Sequence, residues 1–282
     1  MKDDMAANAA ASGQAKAGRG KASRGRAGQD KADLSDAHTL MPSLEGKRIA
    51  ITGGTTGIGR AIAVLLASEG ARIFTCGRGE AHLADALERI NEVGEGGGIA
   101  LDLADKGGAA RFFKASDKWL GGLDIAVINA AVPAEDALEQ DKGEIAYQLE
   151  TNFAAYVLCA HEAARRLEGG GGDIVLIGSM SAVSKGPGSS VYVAAKSGIQ
   201  GFAPSLRKEL AEKNIKVGLI EPGFTGADFQ YPEFPPERQR KEIAADKMLR
   251  AEDIAVATHF MLRQPRRAAV SHIRVETRLD HE

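Results

Sequence analysis

The chain has 282 residues, of which 44% are hydrophobic and 26% charged, enough for one large domain or two small ones. Its formal net charge of -2 gives no overall pull towards nucleic acid or an anionic membrane, and no apolar run approaches a bilayer-spanning length. Cys76 and Cys159 lie far apart without CxxC or Cys/His spacing, which argues against a disulfide framework or a zinc site.

The chain opens on an unusual composition. AASGQAKAGRGKASRGRAGQDK consists mainly of Ala, Gly, Ser, Lys and Arg, without aromatic or branched apolar residues. Such a segment buries too little apolar surface to offset the entropy of ordering, so residues 1–44 are expected to form a disordered tail. Its basic residues would suit nucleic acid or a membrane surface, but a solvated tail without a specific role is the plainer reading. Asp3, Asp4 and the missing apolar face count against a transit peptide, and no signal-peptide pattern is present. Met41 is a candidate true start, because the folded pattern begins just after MPSLEGK. Reduced thiols and the missing leader together predict a cytoplasmic setting.

From Lys47 the pattern turns regular. RIAIT reads as a strand, followed by the glycine-rich GGTTGIG and the helical stretch RAIAVLLASEG. ARIFTCG predicts a second strand, EAHLADALERINEVG a helix and GIALDL a third strand. AARFFKASDKWL and the stretches Glu144–Leu167 and Ser190–Lys213 read as helices, placed among the strands LDIAVINAA, GDIVLIGS and IKVGLIEPG. Short apolar strands alternating with helices predict a doubly wound, mostly parallel α/β sheet of Rossmann type. No later shift in composition marks a second domain, so residues 45–282 are expected to form one. A ligand crevice is expected at the carboxyl ends of the strands.

Two motifs carry chemistry. TGGTTGIG sits between the first strand and helix, where the helix offers free N–H groups and its positive dipole end to a pyrophosphate. Gly53 would permit the tight turn, Gly57 the close approach of phosphate, and Gly59 the packing of helix on strand. A plain tight turn between strand and helix is the simpler alternative. In SSVYVAAKSGIQGF, Tyr192 and Lys196 stand four residues apart and so share one helix face. An ammonium beside a phenol favours the phenolate and would lower the tyrosine pKa from about 10 towards neutrality. Taken alone, the same spacing fits an amphipathic helix with a chance pair.

TGxxxGxG and YxxxK together resemble the short-chain dehydrogenase/reductase family, in its single-domain branch, from Leu44 to about Val275. The resemblance implies a nicotinamide cofactor cradled by Thr52, Gly53, Thr55, Thr56, Gly57, Ile58 and Gly59, with Asp102 and Leu103 of ALDLAD at the adenine. It places Asn129 and Ala130 of VINAA along the cleft, although Ile128 and Ala131 replace the Asn and Gly of the family's NNAG run. Pro222 and Gly223 of EPGFTG match the family's turn over the nicotinamide. Ala227 stands where the family often has Thr, with Thr225 as a nearby substitute.

The resemblance also implies a catalytic tetrad of Asn152, Ser179, Tyr192 and Lys196. Tyr192 would be the general acid and base for a carbonyl or secondary alcohol, and Ser179 would hydrogen-bond the substrate oxygen. Lys196 would lower the tyrosine pKa and bind the nicotinamide ribose, and Asn152 would hold a water that relays protons from Lys196. Each has a plainer reading, Ser179 as a strand-end turn residue and Asn152 as a bond from within a helix to a neighbouring loop. No metal is expected.

At the end of the second strand, Gly77 occupies the position where NAD enzymes place a carboxylate, and Arg78 follows. Arginine suits a 2′-phosphate, which favours NADP(H) over NAD(H), although Thr56 is neutral where some relatives are basic. Phe224, Phe229, Tyr231 and Phe234, after the PG turn, would either wall an apolar pocket or anchor a lid. VSHIRVETRLDHE replaces the family's usual ending. The expected partner is a small carbonyl or alcohol, with neither specific nucleic acid nor membrane, and the resemblance implies a homo-oligomer. A non-enzymatic, redox-sensing nucleotide-binding protein on the same fold is the alternative; it predicts binding without turnover.

Overall fold

The computed structural model describes residues 41–133, 135–230 and 234–279. The tail predicted for residues 1–44 falls almost wholly outside the described residues, as does Tyr231. The chain proceeds as β1 (Arg48–Thr52), α1 (Gly57–Ser68), β2 (Arg72–Gly77), α2 (Glu80–Asn91), β3 (Glu95–Ala100), α3 (Gly108–Leu120) and β4 (Ile125–Ile128). After it come α4 (Lys142–Leu149), a π-helical turn (Glu150–Ala154), α5 (Ala155–Leu167), β5 (Gly172–Ile177), the single turn α6 (Ser181–Ser184) and α7 (Ser190–Leu210). The last part holds β6 (Ile215–Pro222), β7 (Thr225–Gly226), α8 (Pro236–Ala244), β8 (Leu249–Arg250), α9 (Ala251–Leu262) and β9 (His272–Val275).

Seven strands form one parallel sheet in the order β3-β2-β1-β4-β5-β6-β9. The doubly wound Rossmann-type sheet is therefore present as expected. Strand side chains alternate between two helical layers, as the period of two requires. Ala50, Ala126, Ile128, Ile174 and Leu176 face one core with Phe112, Tyr156 and Ile199. Ile49, Ile51, Ile125, Val127, Val175 and Ile177 face the other with Ile62, Leu66 and Ile254. Because β1 lies between β2 and β4, chain order reverses there and opens a crevice at the carboxyl ends of β1 and β4.

Within this sheet two strands differ from the sequence reading; β7 and β8, also unpredicted, pair with each other apart from it. β3 begins three residues before GIALDL, on Glu95, and half of it is glycine. A Cβ at Gly97 would meet the Trp119 ring at 2.5 Å and one at Gly98 would meet Leu83 at 2.7 Å, so the missing side chains let two helices rest directly on the strand. β9 was not anticipated. It runs parallel to β6, pairing Leu219 with His272 and Pro222 with Val275. Glu221, fully buried on β6, holds it there: its Oε2 lies 2.7 Å from His272 Nε2 and 3.0 Å from Arg274 Nε, and its Oε1 accepts from Gln200 Nε2 at 2.8 Å. The predicted helix over Glu144–Leu167 is continuous in direction but broken in pitch by the π-helical turn at Glu150–Ala154. No helix among the described residues is long and apolar enough to cross a membrane.

Candidate active site

A cleft of about 1460 Å³ runs along the carboxyl ends of β1, β2, β4, β5 and β6. At its floor the loop after β1 turns on Gly53 and Gly57, whose φ angles of 66° and 52° are left-handed and favour glycine. A Cβ at Gly53 would strike Ala130 Cα at 2.7 Å, and one at Gly59 would strike the Gly53 carbonyl oxygen, so the loop lies flat between β4 and α1. Thr56 caps α1 without a side-chain hydrogen bond, and the first turn carries no acidic residue. The first N–H groups of α1 and its positive dipole end therefore remain available to a phosphate. A bound dinucleotide fits this cradle.

Thr55, Thr56, Gly57, Ile58, Arg78, Asp102, Leu103, Asn129, Ala130, Pro222, Gly223 and Thr225 line the cleft together with Gly53. Thr52 and Gly59, expected to touch a cofactor, stand behind that wall. The Thr52 hydroxyl oxygen accepts from the N–H groups of Asn129 (2.9 Å) and Ala130 (3.2 Å), which ties β1 to the end of β4. The Asn129 amide in turn donates to Thr52 O and Gly53 O, fixing the glycine loop from the side. Thr225 Oγ1 donates to Gly223 O at 2.9 Å, so this threonine stiffens the turn after β6.

Ser179, Tyr192 and Lys196 meet at the middle of the cleft. β5 ends two residues before Ser179, and Tyr192 and Lys196 share a face of α7. Ser179 hydrogen-bonds Tyr192, and its Oγ also accepts from Ser181 N at 3.1 Å. Lys196, 1% exposed, donates to Tyr156 Oη and to Ile177 O, both at 2.9 Å, and its Nζ lies 5.5 Å from the centre of the Tyr192 ring.

The charge balance of the pair corrects the sequence reading. Burial pushes the Tyr192 phenol up to about 12, with the Ser179 hydrogen bond opposing it, and pushes Lys196 down to about 7. The lysine points at Tyr156 and a carbonyl, so it does little to stabilise a phenolate. Tyr192 is held as a phenol.

Asn152 takes the plainer of the two roles read from sequence, a bond from within a helix to a neighbouring loop. It is fully buried on the π-helical turn, and its amide brackets one residue of the loop after β4: Oδ1 accepts from Val132 N at 2.8 Å and Nδ2 donates to Val132 O at 2.9 Å. The turn's extra residue rotates Asn152 towards that loop, away from the cleft wall. It shapes the cleft through Val132.

Tyr156 was missed. Its buried hydroxyl lies 3.0 Å from both Asn129 O and Ile177 O and accepts from Lys196, joining β4, β5 and α7. The sequence signal, a tyrosine four residues after Asn152, was too generic to single it out. At the outer end Phe224 lines the cleft and packs edge-on against Phe234 at 4.9 Å, so Phe224 is wall and Phe234 its anchor. Arg238 stacks over Phe234 from outside, 4.0 Å from its centre.

Comparison with known proteins gives the same assignment. Residues 47–238 match the family model described as short chain dehydrogenase. The 3-oxoacyl-[acyl-carrier-protein] reductase of Rattus norvegicus is 33% identical over 224 residues, covering 78% of this chain and 92% of that protein. A crystal structure of a dehydrogenase/reductase from Sinorhizobium meliloti is 28% identical with a TM-score of 0.73, covering 83% of this chain and 95% of the other. A short chain dehydrogenase from Burkholderia cenocepacia, crystallised in complex with NADP, is 27% identical with a TM-score of 0.74, covering 83% and 98%. This chain belongs to the short-chain dehydrogenase/reductase family and is an NAD(P)-dependent oxidoreductase.

Proposed function

We propose that this enzyme uses NADP(H) to interconvert a carbonyl compound and its secondary alcohol, with Tyr192 handling the proton. The observation that carries the reading is the meeting of Tyr192, Ser179 and Lys196 in one cleft with the glycine loop. The bound nicotinamide nucleotide supplies or accepts the hydride. In reduction Tyr192 gives its proton to the carbonyl oxygen as charge develops there; in oxidation its phenolate takes the alcohol proton. A phenol pushed up to about 12 is fully protonated at neutral pH, the form that reduction needs. Ser179 donates to the same oxygen. Lys196, anchored on Tyr156 and Ile177 O, would hold the nicotinamide ribose, and Asn152 acts as a positioning residue through Val132.

The cofactor preference rests on the end of β2. Arg78 lines the cleft, and its planar fork suits a phosphate dianion. Gly77 adds a steric reason: a Cβ there would collide with the Thr55 side chain, so the space of an NAD-type carboxylate is already filled. The NADP complex of the Burkholderia relative is consistent with this preference. The reductase name of the rat relative supports carbonyl reduction over the non-enzymatic alternative. We read residues 45–282 as the catalytic domain of a cytoplasmic homo-oligomer. The test is a panel of ketones and 3-oxoacyl thioesters assayed with NADPH and NADH, alongside Tyr192→Phe. Turnover of the panel by wild type and its loss in the variant is the expected result; unchanged turnover in the variant would exclude Tyr192 as the acid.

A further inference from the structure

We propose that Tyr147 is a positioning residue for cofactor selection: its hydroxyl joins Asp102 to Arg78 and so presents the guanidinium to a 2′-phosphate. The inference rests on the NADP(H) reading and adds to it a residue outside the motifs. Tyr147 lies 69 residues from Arg78 and 45 from Asp102, and only the approach of α4 to the ends of β2 and β3 brings them together. The start of α4 is fixed by a reciprocal cap, in which Asp141 Oδ1 accepts from Gly143 N and Glu144 N while Glu144 Oε2 accepts from Asp141 N. From that helix the Tyr147 hydroxyl donates to Asp102 Oδ2 at 2.7 Å and accepts from Arg78 Nη1 at 2.8 Å. The Arg78 guanidinium carbon lies 5.9 Å from the centre of the tyrosine ring.

The direction of these bonds is set by chemistry. A carboxylate only accepts and a guanidinium only donates, so the group between them must do both, as a neutral phenol does. Burial and the Asp102 contact keep the Tyr147 phenol above its ordinary value, against the pull of Arg78, so it stays protonated at neutral pH. The other oxygen of Asp102 accepts from Ala104 N at 2.9 Å, which fixes the carboxylate on the opposite side. An exposed arginine at the end of a strand would otherwise spread over many rotamers. Tyr147 holds it with one of five N–H donors and leaves the others to a dianion.

The probes are 2′,5′-ADP and 5′-AMP, which differ by the 2′-phosphate alone, titrated by calorimetry into wild type, Tyr147→Phe, Arg78→Ala and the double variant. Wild type is expected to prefer 2′,5′-ADP. Tyr147→Phe keeps the ring and should lose about 2- to 10-fold of that preference, the equivalent of having to order one long side chain on binding. Arg78→Ala should abolish the preference, and adding Tyr147→Phe to it should remove nothing more, since the two act as one unit. The 5′-AMP affinity of each variant is its own reference, so any change at the adenine through Asp102 divides out of the preference. Full wild-type preference in Tyr147→Phe would overturn the inference while leaving the NADP(H) reading standing. No preference in wild type would overturn both.

Discussion

Replacing Lys196 with Met should make the ligand-free protein more stable at neutral pH while removing its activity. The ammonium is 1% exposed, and burial pushes its pKa from 10.5 down to about 7. In this case the unfolded chain binds the proton more tightly than the folded one. Stability from this group is fully present above pH 10.5 and is lost as pH falls through about 7. Between about pH 6.5 and 9.5 the linkage relation makes wild type gain about 3 kcal/mol on a variant that has no ammonium to bury. Burial also pushes up the Cys76, Cys159 and Tyr192 side chains, but these are common to both proteins and cancel in the difference. Met fills most of the space, and the Tyr156 hydroxyl still lies within 3.0 Å of Asn129 O and Ile177 O. The assay is urea unfolding of both proteins at the two pH values. The variant should lead at about pH 6.5 and lose most of that lead by about 9.5. A gap between them that does not move with pH would refute the reasoning, because it would mean that Lys196 titrates alike in the folded and unfolded chain.

The other expectations concern catalysis, cofactor and fold. Tyr192→Phe should abolish turnover and leave nucleotide binding, followed by calorimetry, nearly unchanged. In wild type, alcohol oxidation should rise with pH through the range below about 12, because the phenolate fraction grows about ten-fold per pH unit there; a flat profile from about pH 7 to 10 would contradict the buried phenol. Arg78→Ala should weaken NADP(H) about ten-fold or more and NAD(H) much less, as measured by kcat/KM with each cofactor. Gly77→Asp should weaken both cofactors, because its side chain would push Thr55 and the glycine loop aside; a clean switch to NAD(H) would show that the loop yields. Glu221→Ala should cost about 2–4 kcal/mol in urea unfolding, since it removes the buried carboxylate that Gln200, His272 and Arg274 share and unfastens β9; a loss under about 0.5 kcal/mol would show that the strand holds without it.

The sequence by itself determined most of the sheet, the glycine loop and which residues meet at the cleft. Strands such as RIAIT are short, apolar and regularly spaced among helices, and such local periodicity survives folding unchanged. The glycine loop and the Tyr192/Lys196 pair were legible for the same reason, since spacings of a few residues convert directly into shared faces and turns. β3 and β9 were misplaced or missed because glycine has weak strand preference and an edge strand needs little apolar surface. What only the tertiary structure decided is where side chains point once distant segments meet. The turn of the π-helix sends Asn152 to Val132, the depth of α7 buries Lys196 against Tyr156, and the approach of α4 sets Tyr147 between Arg78 and Asp102. Burial and partner choice across 20 to 69 residues depend on the packing of whole elements, and a pKa follows from burial and partners, so neither can be read from a local spacing.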